Sequence, residues 1–261
     1  MILDSIFENR KKQVAAQKAE KPTAQIEKEA AAYAAAHPTR DFAKALRGEQ
    51  LAVIAEVKKA SPSKGLICAD FHPVNIAMQY ERAGAAAISV LTEESYFQGS
   101  AEYLTAIRQA VSLPLLRKDF IFDEWQICEA RLIGADAVLL IAAMLDTPTL
   151  AVLHRFAERL GLSVLVETHN EKEVESAIEA GAKIFGVNNR NLLDFKVDTG
   201  TACRLAPLLP PGAVFVAESG VQCAEDAKKM RAAGADAILV GEALMRAPSI
   251  AGKLAELRVL I

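Results

Sequence analysis

Apolar and polar positions along the chain fall into one arrangement that recurs four times. RAGAAAISVL ends at Leu91, LIGADAVLLI at Ile141, EAGAKIFGVN at Asn188 and AAGADAILVG at Gly241. Each reads as a helix end, a glycine suited to the left-handed position that stops a helix, and an apolar strand. The glycines are Gly84, Gly134, Gly181 and Gly234, at spacings of 50, 47 and 53 residues. Between these units lie four more β-rich runs, at 51–57, 113–117, 162–166 and 213–217, which brings the predicted strands to eight.

The intervening segments have helical period and helix punctuation. After the fourth strand, Thr147-Pro148 predicts an N-cap followed by proline at N1. Leu150, Leu153, Phe156 and Leu160 then line one face, and Gly161 stops the helix. After the fifth strand, Asn170 and Glu173 have capping-box spacing, with Val174, Ala177 and Ile178 turned inward. Strands apolar throughout and separated by such helices imply an α/β fold with a parallel sheet buried on both faces. Eight such units in about 250 residues is the size of a (β/α)8 TIM barrel. A doubly wound open sheet is the alternative, because periodicity does not show closure. It is disfavoured because no G-x-G-x-x-G follows the first strand.

Residues 1–48 precede the first strand and predict a helical extension. Ile2, Leu3, Ile6 and Phe7 form an apolar stripe at helical spacing, and Pro22 and Pro38 divide the rest, including the alanine-rich 25–36. The extension is expected to pack on the barrel of residues 49–261, a single domain, and to cover one mouth.

Composition narrows the partners. With 52% hydrophobic and 24% charged residues the chain is globular. Lysine plus arginine number 30 against 33 aspartates plus glutamates, a net charge of −3, so no basic field points to nucleic acid. An anionic ligand must be held by a local site. The longest apolar run, 137–145, is far short of the ~20 residues a membrane span needs. The opening MILDSIFENRKK lacks a basic region followed by an apolar one, so a signal peptide is not expected and a cytoplasmic location is. Cys68, Cys128, Cys203 and Cys223 form no C-x-x-C pair, and His37, His72 and His154 have no ligand spacing. No disulfide framework and no metal site are expected. A monomer is expected, with a weak dimer as the alternative.

In such barrels the chemistry sits at the C-terminal ends of the strands. Those ends carry Glu56 and Lys58 on the first strand, Glu93 on the second, Lys118 and Asp119 on the third and Glu167 on the fifth. Asn188 and Arg190 follow on the sixth, Glu218-Ser219-Gly220 on the seventh, and Gly241-Glu242 on the eighth. Unpaired charge beside apolar strand ends is costly, so the set reads as a polar pocket. Ser219-Gly220 and Gly241-Glu242 follow strands seven and eight, where barrels commonly bind phosphate on backbone N–H groups. Lys58 and Lys118 would project into the mouth, where either binds an anion or donates a proton. Glu56 and Glu167 would hold them, stabilise positive charge or accept a proton. Two internal ion pairs, or a Schiff-base lysine, are the rival readings. His169 is a candidate base, but the expectation is that it faces the loop beside Asn170. Phe97 and Phe120 lie near enough to strand ends to line a slot for an aromatic ring.

At these residues the chain resembles the indole-3-glycerol-phosphate synthase family over nearly its whole length. The strongest motif is AEVKKASPSKG at 55–65. It is joined by LTE at 91–93, YFQGS at 96–100, RKDFI at 117–121, VETH at 166–169, GVNNRNL at 186–192 and ESG at 218–220. The resemblance implies a carboxy-lyase that closes, decarboxylates and dehydrates 1-(2-carboxyphenylamino)-1-deoxyribulose 5-phosphate without metal or organic cofactor. It assigns Lys118 as general acid, Lys58 as partner of the substrate carboxylate and a proton-transfer group, and Glu167 as stabiliser of the cationic intermediate or base. Glu56 and Asn188 would orient these groups, Arg190 would support the anionic end, and Phe97 and Phe120 would flank the ring. Ser61, Ser219, Gly220, Gly241 and Glu242 would hold the phosphate. Two positions depart from the family pattern: Lys59 stands where arginine is common, and Glu242 where serine is frequent. A carboxylate turned inward there would repel phosphate, so only the Glu242 backbone N–H is expected to contribute. The alternatives are another phosphate-binding barrel, such as phosphoribosylanthranilate isomerase or the tryptophan synthase α subunit, and an inactive barrel kept as a scaffold. The sequence ends after the eighth predicted helix, which fits a monofunctional member.

Overall fold

Parallel strands cannot be joined by tight turns, and each crossover here supplies a helix that covers the outside of the sheet. The computed structural model describes residues 2–191 and 195–259, with the side chains of Ile2 and Leu3 outside the described set. Leu192 of the sixth strand's motif also lies outside it. The strands are β1 (Ala52–Val57), β2 (Ala87–Leu91), β3 (Leu115–Lys118), β4 (Ala137–Ile141), β5 (Ser163–Thr168), β6 (Ile184–Asn188), β7 (Val214–Glu218) and β8 (Ala237–Val240). Each pairs in parallel with its sequence neighbours, and β8 returns to β1, so the barrel closes and the open-sheet alternative falls away.

Closure sorts side chains by strict alternation. Ile54, Leu116, Leu139, Leu165, Ile184, Val216 and Leu239 point inward and form the inner core. Val53, Leu115, Val138, Val164, Phe185, Phe215 and Ile238 point outward against the helices. Phe42 and Leu46, on and after the short helix Phe42–Ala45, join the inner core and plug the N-terminal end of the barrel. With that end filled by apolar side chains, the polar groups collect at the other end. Two residues beyond an inward apolar position is again inward, so Glu56, Lys118, Glu167, Asn188 and Glu218 all point into the mouth. Lys58 follows Glu56 by the same step. Arg117 and Asp119 have the opposite parity and lie buried behind β3.

The recurring glycines stop their helices with φ between 85° and 95°. Two local expectations shift. The helix Thr147–Arg159 is capped by Asp146, one residue before the expected Thr147, because the Asp146 carboxylate accepts the Thr149 N–H at 2.9 Å. Thr147 and Pro148 become its first two helical residues. In Glu171–Glu179, Val174 and Ala177 are buried, but Ile178 is 41% exposed. Ile178 falls at the edge of the buried stripe, about 100° round the helix from Ala177, and no neighbouring element covers it there.

The helices Ile2–Glu20 and Thr23–Ala36 precede the barrel. Ile6, Ile26 and Ala30 are buried, and Phe7 meets Phe122 edge-on at 5.1 Å. The first helix lies against the loops after β2 and β3: Asn9 and Gln13 donate to the Ser95 hydroxyl, and Lys18 pairs with Asp123. Beyond β1, the paired residues Ala60–Ser61 and Gly65–Leu66 form a small hairpin. No helix among the described residues is long and apolar enough to cross a membrane.

Candidate active site

Three strands deliver one knot of charge. The Lys118 ammonium lies 2.9 Å from Glu167 Oε2 and 3.5 Å from Glu218 Oε2. Beside it, Lys58 Nζ is 2.5 Å from Glu56 Oε2. Glu56, Glu167, Glu218 and Asn188 are buried, while the two lysines keep a small exposed surface toward the mouth. Asn188 fixes the loop that follows it by accepting the Arg190 N–H at 3.0 Å.

Glu167 and Glu218 do not share one protonation state. Burial disfavours charge on Lys118, but Glu167, Glu218 and Glu56 outweigh it and hold the ammonium charged. Burial also disfavours charge on Glu167, yet Lys118 and His169 keep it ionised well below the usual carboxylate range. Glu218 goes the other way. Burial, with Glu167 and Glu56 as like-charged neighbours, overcomes Lys118 and pushes it up to about 8. Near neutrality one ammonium therefore lies between a carboxylate and a carboxylic acid. Glu218 Oε1 is buried without a protein partner, and it lies over Gly186, where any Cβ would collide with it.

Sequence reasoning named Glu218 only as a strand end. Its inward parity with Val214 and Val216 was the available signal. His169 lies beside the Asn170 helix cap as expected, its Nδ1 2.9 Å from Glu173 Oε2, but its other nitrogen turns into the mouth, with Nε2 3.3 Å from Glu167 Oε1.

Phe97 and Phe120 form the next layer, with ring centroids 6.0 Å apart. Each is held by a buried carboxylate. Glu93 accepts the backbone N–H groups of Ser95, Tyr96 and Phe97 at 2.8–3.0 Å, which curls 94–99 over the mouth. Gly99 then fits against the Leu91 and Glu93 carbonyls, where a side chain has no room. On the other side Asp119 accepts from the Phe120 N–H, Thr92 Oγ1, Arg117 and Arg10.

The loops after β7 and β8 lie at the far end of the mouth. Ser219 and Gly220 both have positive φ, 63° and 84°, and Asn189 Nδ2 donates to the Ser219 carbonyl. Gly241 precedes the short helix Glu242–Met245 and abuts the Glu56 carboxylate so closely that a Cβ would clash. The Glu242 carboxylate faces Lys64 at 3.7 Å and Arg246 at 3.3 Å, both exposed pairs. Ser61 lies half-buried in the hairpin. Arg190 does not join the charge knot, since its guanidinium turns to the Phe195 carbonyl of its own loop. Among the described residues no set of three His, Cys, Asp or Glu side chains converges as a metal site.

A family model described as indole-3-glycerol phosphate synthase matches residues 3–257. The chain belongs to the indole-3-glycerol phosphate synthase family. A protein of that name from Ruminiclostridium cellulolyticum is 50% identical over 99% of this chain and 99% of its own. Another from Desulfotalea psychrophila is 53% identical over 84% and 85% respectively. Among solved structures, 3-hexulose-6-phosphate synthase from Salmonella typhimurium aligns with a TM-score of 0.65 at 17% identity. It covers 79% of this chain and 96% of that one, a likeness that speaks for the fold alone. Within this indole-3-glycerol phosphate synthase family member, the motif residues of six strands meet in the mouth just described.

Proposed function

We propose that this mouth closes the ring of 1-(2-carboxyphenylamino)-1-deoxyribulose 5-phosphate, releasing carbon dioxide and then water to give indole-3-glycerol phosphate. Family membership makes the chain a carboxy-lyase of tryptophan biosynthesis. The observation that carries the assignment of roles is the Lys118 ammonium between ionised Glu167 and protonated Glu218, with the contacting Phe97–Phe120 pair on the loops after β2 and β3.

The substrate's aromatic ring is a weak carbon nucleophile, so attack on its ketone needs a proton at the developing alkoxide. Lys118 supplies it, a contribution typically worth ~10²–10⁴-fold in rate. Phe97 and Phe120 hold the ring against the ketone, which removes the entropy of finding that geometry. Bond formation leaves a cation on the ring and its nitrogen, and Glu167 stabilises it from close range in a water-poor site. Lys58 pairs with the substrate carboxylate until it leaves as carbon dioxide, with Glu56 holding Lys58 in place. In dehydration Glu167 accepts the carbon-bound proton, and Glu218 protonates the departing hydroxyl. Asn188 orients the substrate hydroxyls, and Arg190 supports the anionic end of the substrate.

The phosphate binds on backbone N–H groups around Ser219, Gly220, Gly241 and Glu242, with the Ser61 hydroxyl opposite. The Glu242 side chain takes no part, its charge being drawn to Lys64 and Arg246. Residues 1–48 form an extension serving the barrel of 49–261. The enzyme is a cytoplasmic monomer, in keeping with four free cysteines.

Purified protein given the substrate without metal or cofactor should produce indole fluorescence, and Lys118→Ala should lose at least ~10²-fold in kcat. A folded wild type without turnover would sink the assignment. A Lys118→Ala protein as fast as wild type would remove Lys118 from the acid role.

A further inference from the structure

His169 stands two residues beyond Glu167, on the same inward face, with its side chain nearly enclosed. Its two ring nitrogens face two different carboxylates, Glu167 Oε1 at 3.3 Å and Glu173 Oε2 at 2.9 Å. Glu173 is itself fixed at the start of the helix Glu171–Glu179, accepting from the His169 N–H at 2.8 Å and from Asn170 Nδ2 at 2.6 Å. The second oxygen of Glu167 meets Lys118. A continuous line, Glu173–His169–Glu167–Lys118, thus runs from a helix N-terminus into the centre of the mouth.

We propose that His169 is a positioning residue that, as a doubly protonated imidazolium, clamps Glu167 in the orientation facing Lys118. The proposal rests on the reading of Glu167 as a participant in the chemistry. Nε2 forms no hydrogen bond and faces Glu167 Oε1 at ion-pair distance, so the contact with Glu167 is one of charge. A ring set between two carboxylates is attracted to both only when both nitrogens carry protons. A helix-cap role would need the Glu173 contact alone and would not require Nε2 to point at Glu167. Burial favours the neutral ring, but Glu167 and Glu173 outweigh it and lift the imidazole to about 10. The charged groups bearing on this line are Glu173 on the helix side and Glu167 on the barrel side. Lys118 and Glu218 lie beyond Glu167.

The test uses the full chain and the fluorescence assay from about pH 5 to pH 9. Variants are His169→Asn, which keeps a neutral donor, and His169→Ala, each checked for fold by circular dichroism. Outer-partner losses typically cost ~10- to 100-fold. His169→Ala should lose that much in kcat with KM little changed, and its acid limb should move to higher pH as Glu167 loses its cationic partner. His169→Asn should recover part of kcat but not the acid limb. In labelled wild-type protein, ring resonances of His169 should stay those of an imidazolium beyond pH 8. Wild-type kcat and pH profile in both variants, or a neutral ring at neutral pH, would overturn the clamp. Glu167→Gln runs alongside. If it turns over like wild type, the reading of Glu167 fails and takes the proposal with it. If only Glu167→Gln is impaired, Glu167 stands and the clamp alone fails.

Discussion

Arg10 and Asp119, 109 residues apart in sequence, form a buried two-bond ion pair, Nε to Oδ1 at 3.1 Å and Nη2 to Oδ2 at 2.7 Å. It joins the first helix to the residue after Lys118. Asp119 also holds the Phe120 N–H, so the extension is wired to both the candidate acid and one wall of the slot. Arg117 meets the same carboxylate and pairs with Glu129, which leaves no charge in the group unmatched.

Truncating one partner of a buried pair leaves the other uncompensated, at a cost of about 3–5 kcal/mol. Arg10→Ala should lower unfolding free energy toward the smaller end of that range, because Arg117 and Thr92 still hold Asp119. Urea denaturation reads this directly, and an unchanged midpoint would show the helix to be loosely attached.

Glu218 gives a prediction with a definite sign. Its folded pKa is raised to about 8, so the proton is present at neutral pH and is lost as pH rises through that value. The stability tied to that proton follows the same course, full below the ordinary carboxylate value and lost on passing about 8. With Glu218 as proton donor in dehydration, kcat should fall on the basic side near pH 8. Glu218→Gln should be slower and lack that limb. A variant that kept the limb would assign it to another group.

Glu93 touches no reacting atom in the proposed mechanism, yet it holds three N–H groups of the loop that carries Phe97. Glu93→Ala should loosen that wall and raise KM about tenfold, which corresponds to ~1.4 kcal/mol of lost positioning. Glu93→Gln, with one acceptor oxygen left, should fall between. Steady-state kinetics showing KM at the wild-type level in both would separate the loop from substrate binding.

Glu242 should be nearly silent. Its carboxylate makes only exposed contacts with Lys64 and Arg246, and such pairs are worth about 0–1 kcal/mol. Glu242→Ala should leave KM within about twofold, since the backbone N–H remains. A sharp rise would mean that the side chain itself grips the substrate.

Much of this molecule was written locally. A strand's alternation is fixed by its own backbone, so Lys118 shares a face with Leu116 and Glu167 with Leu165, while closure of the barrel turned those faces inward. The helix stops at Gly84, Gly134, Gly181 and Gly234 were legible because a left-handed residue needs no distant partner. Helix starts were legible to within one residue, as the move from Thr147 to Asp146 shows. Ile178 was misjudged because which of two adjacent apolar residues is covered depends on the neighbouring element.

The amino-acid sequence by itself determined the eight β/α units, the parity of their strands and the residues available at each strand end. Those features depend on contacts within a few residues. Closure of β8 onto β1, the joining of Lys118 with Glu167 and Glu218, the turn of His169 toward Glu167 and the Arg10–Asp119 pair were decided only by the tertiary structure. The proton on Glu218 belongs to the same class. Its affinity comes from burial among charges carried on other strands, and a carboxyl group's own sequence neighbours cannot encode that field.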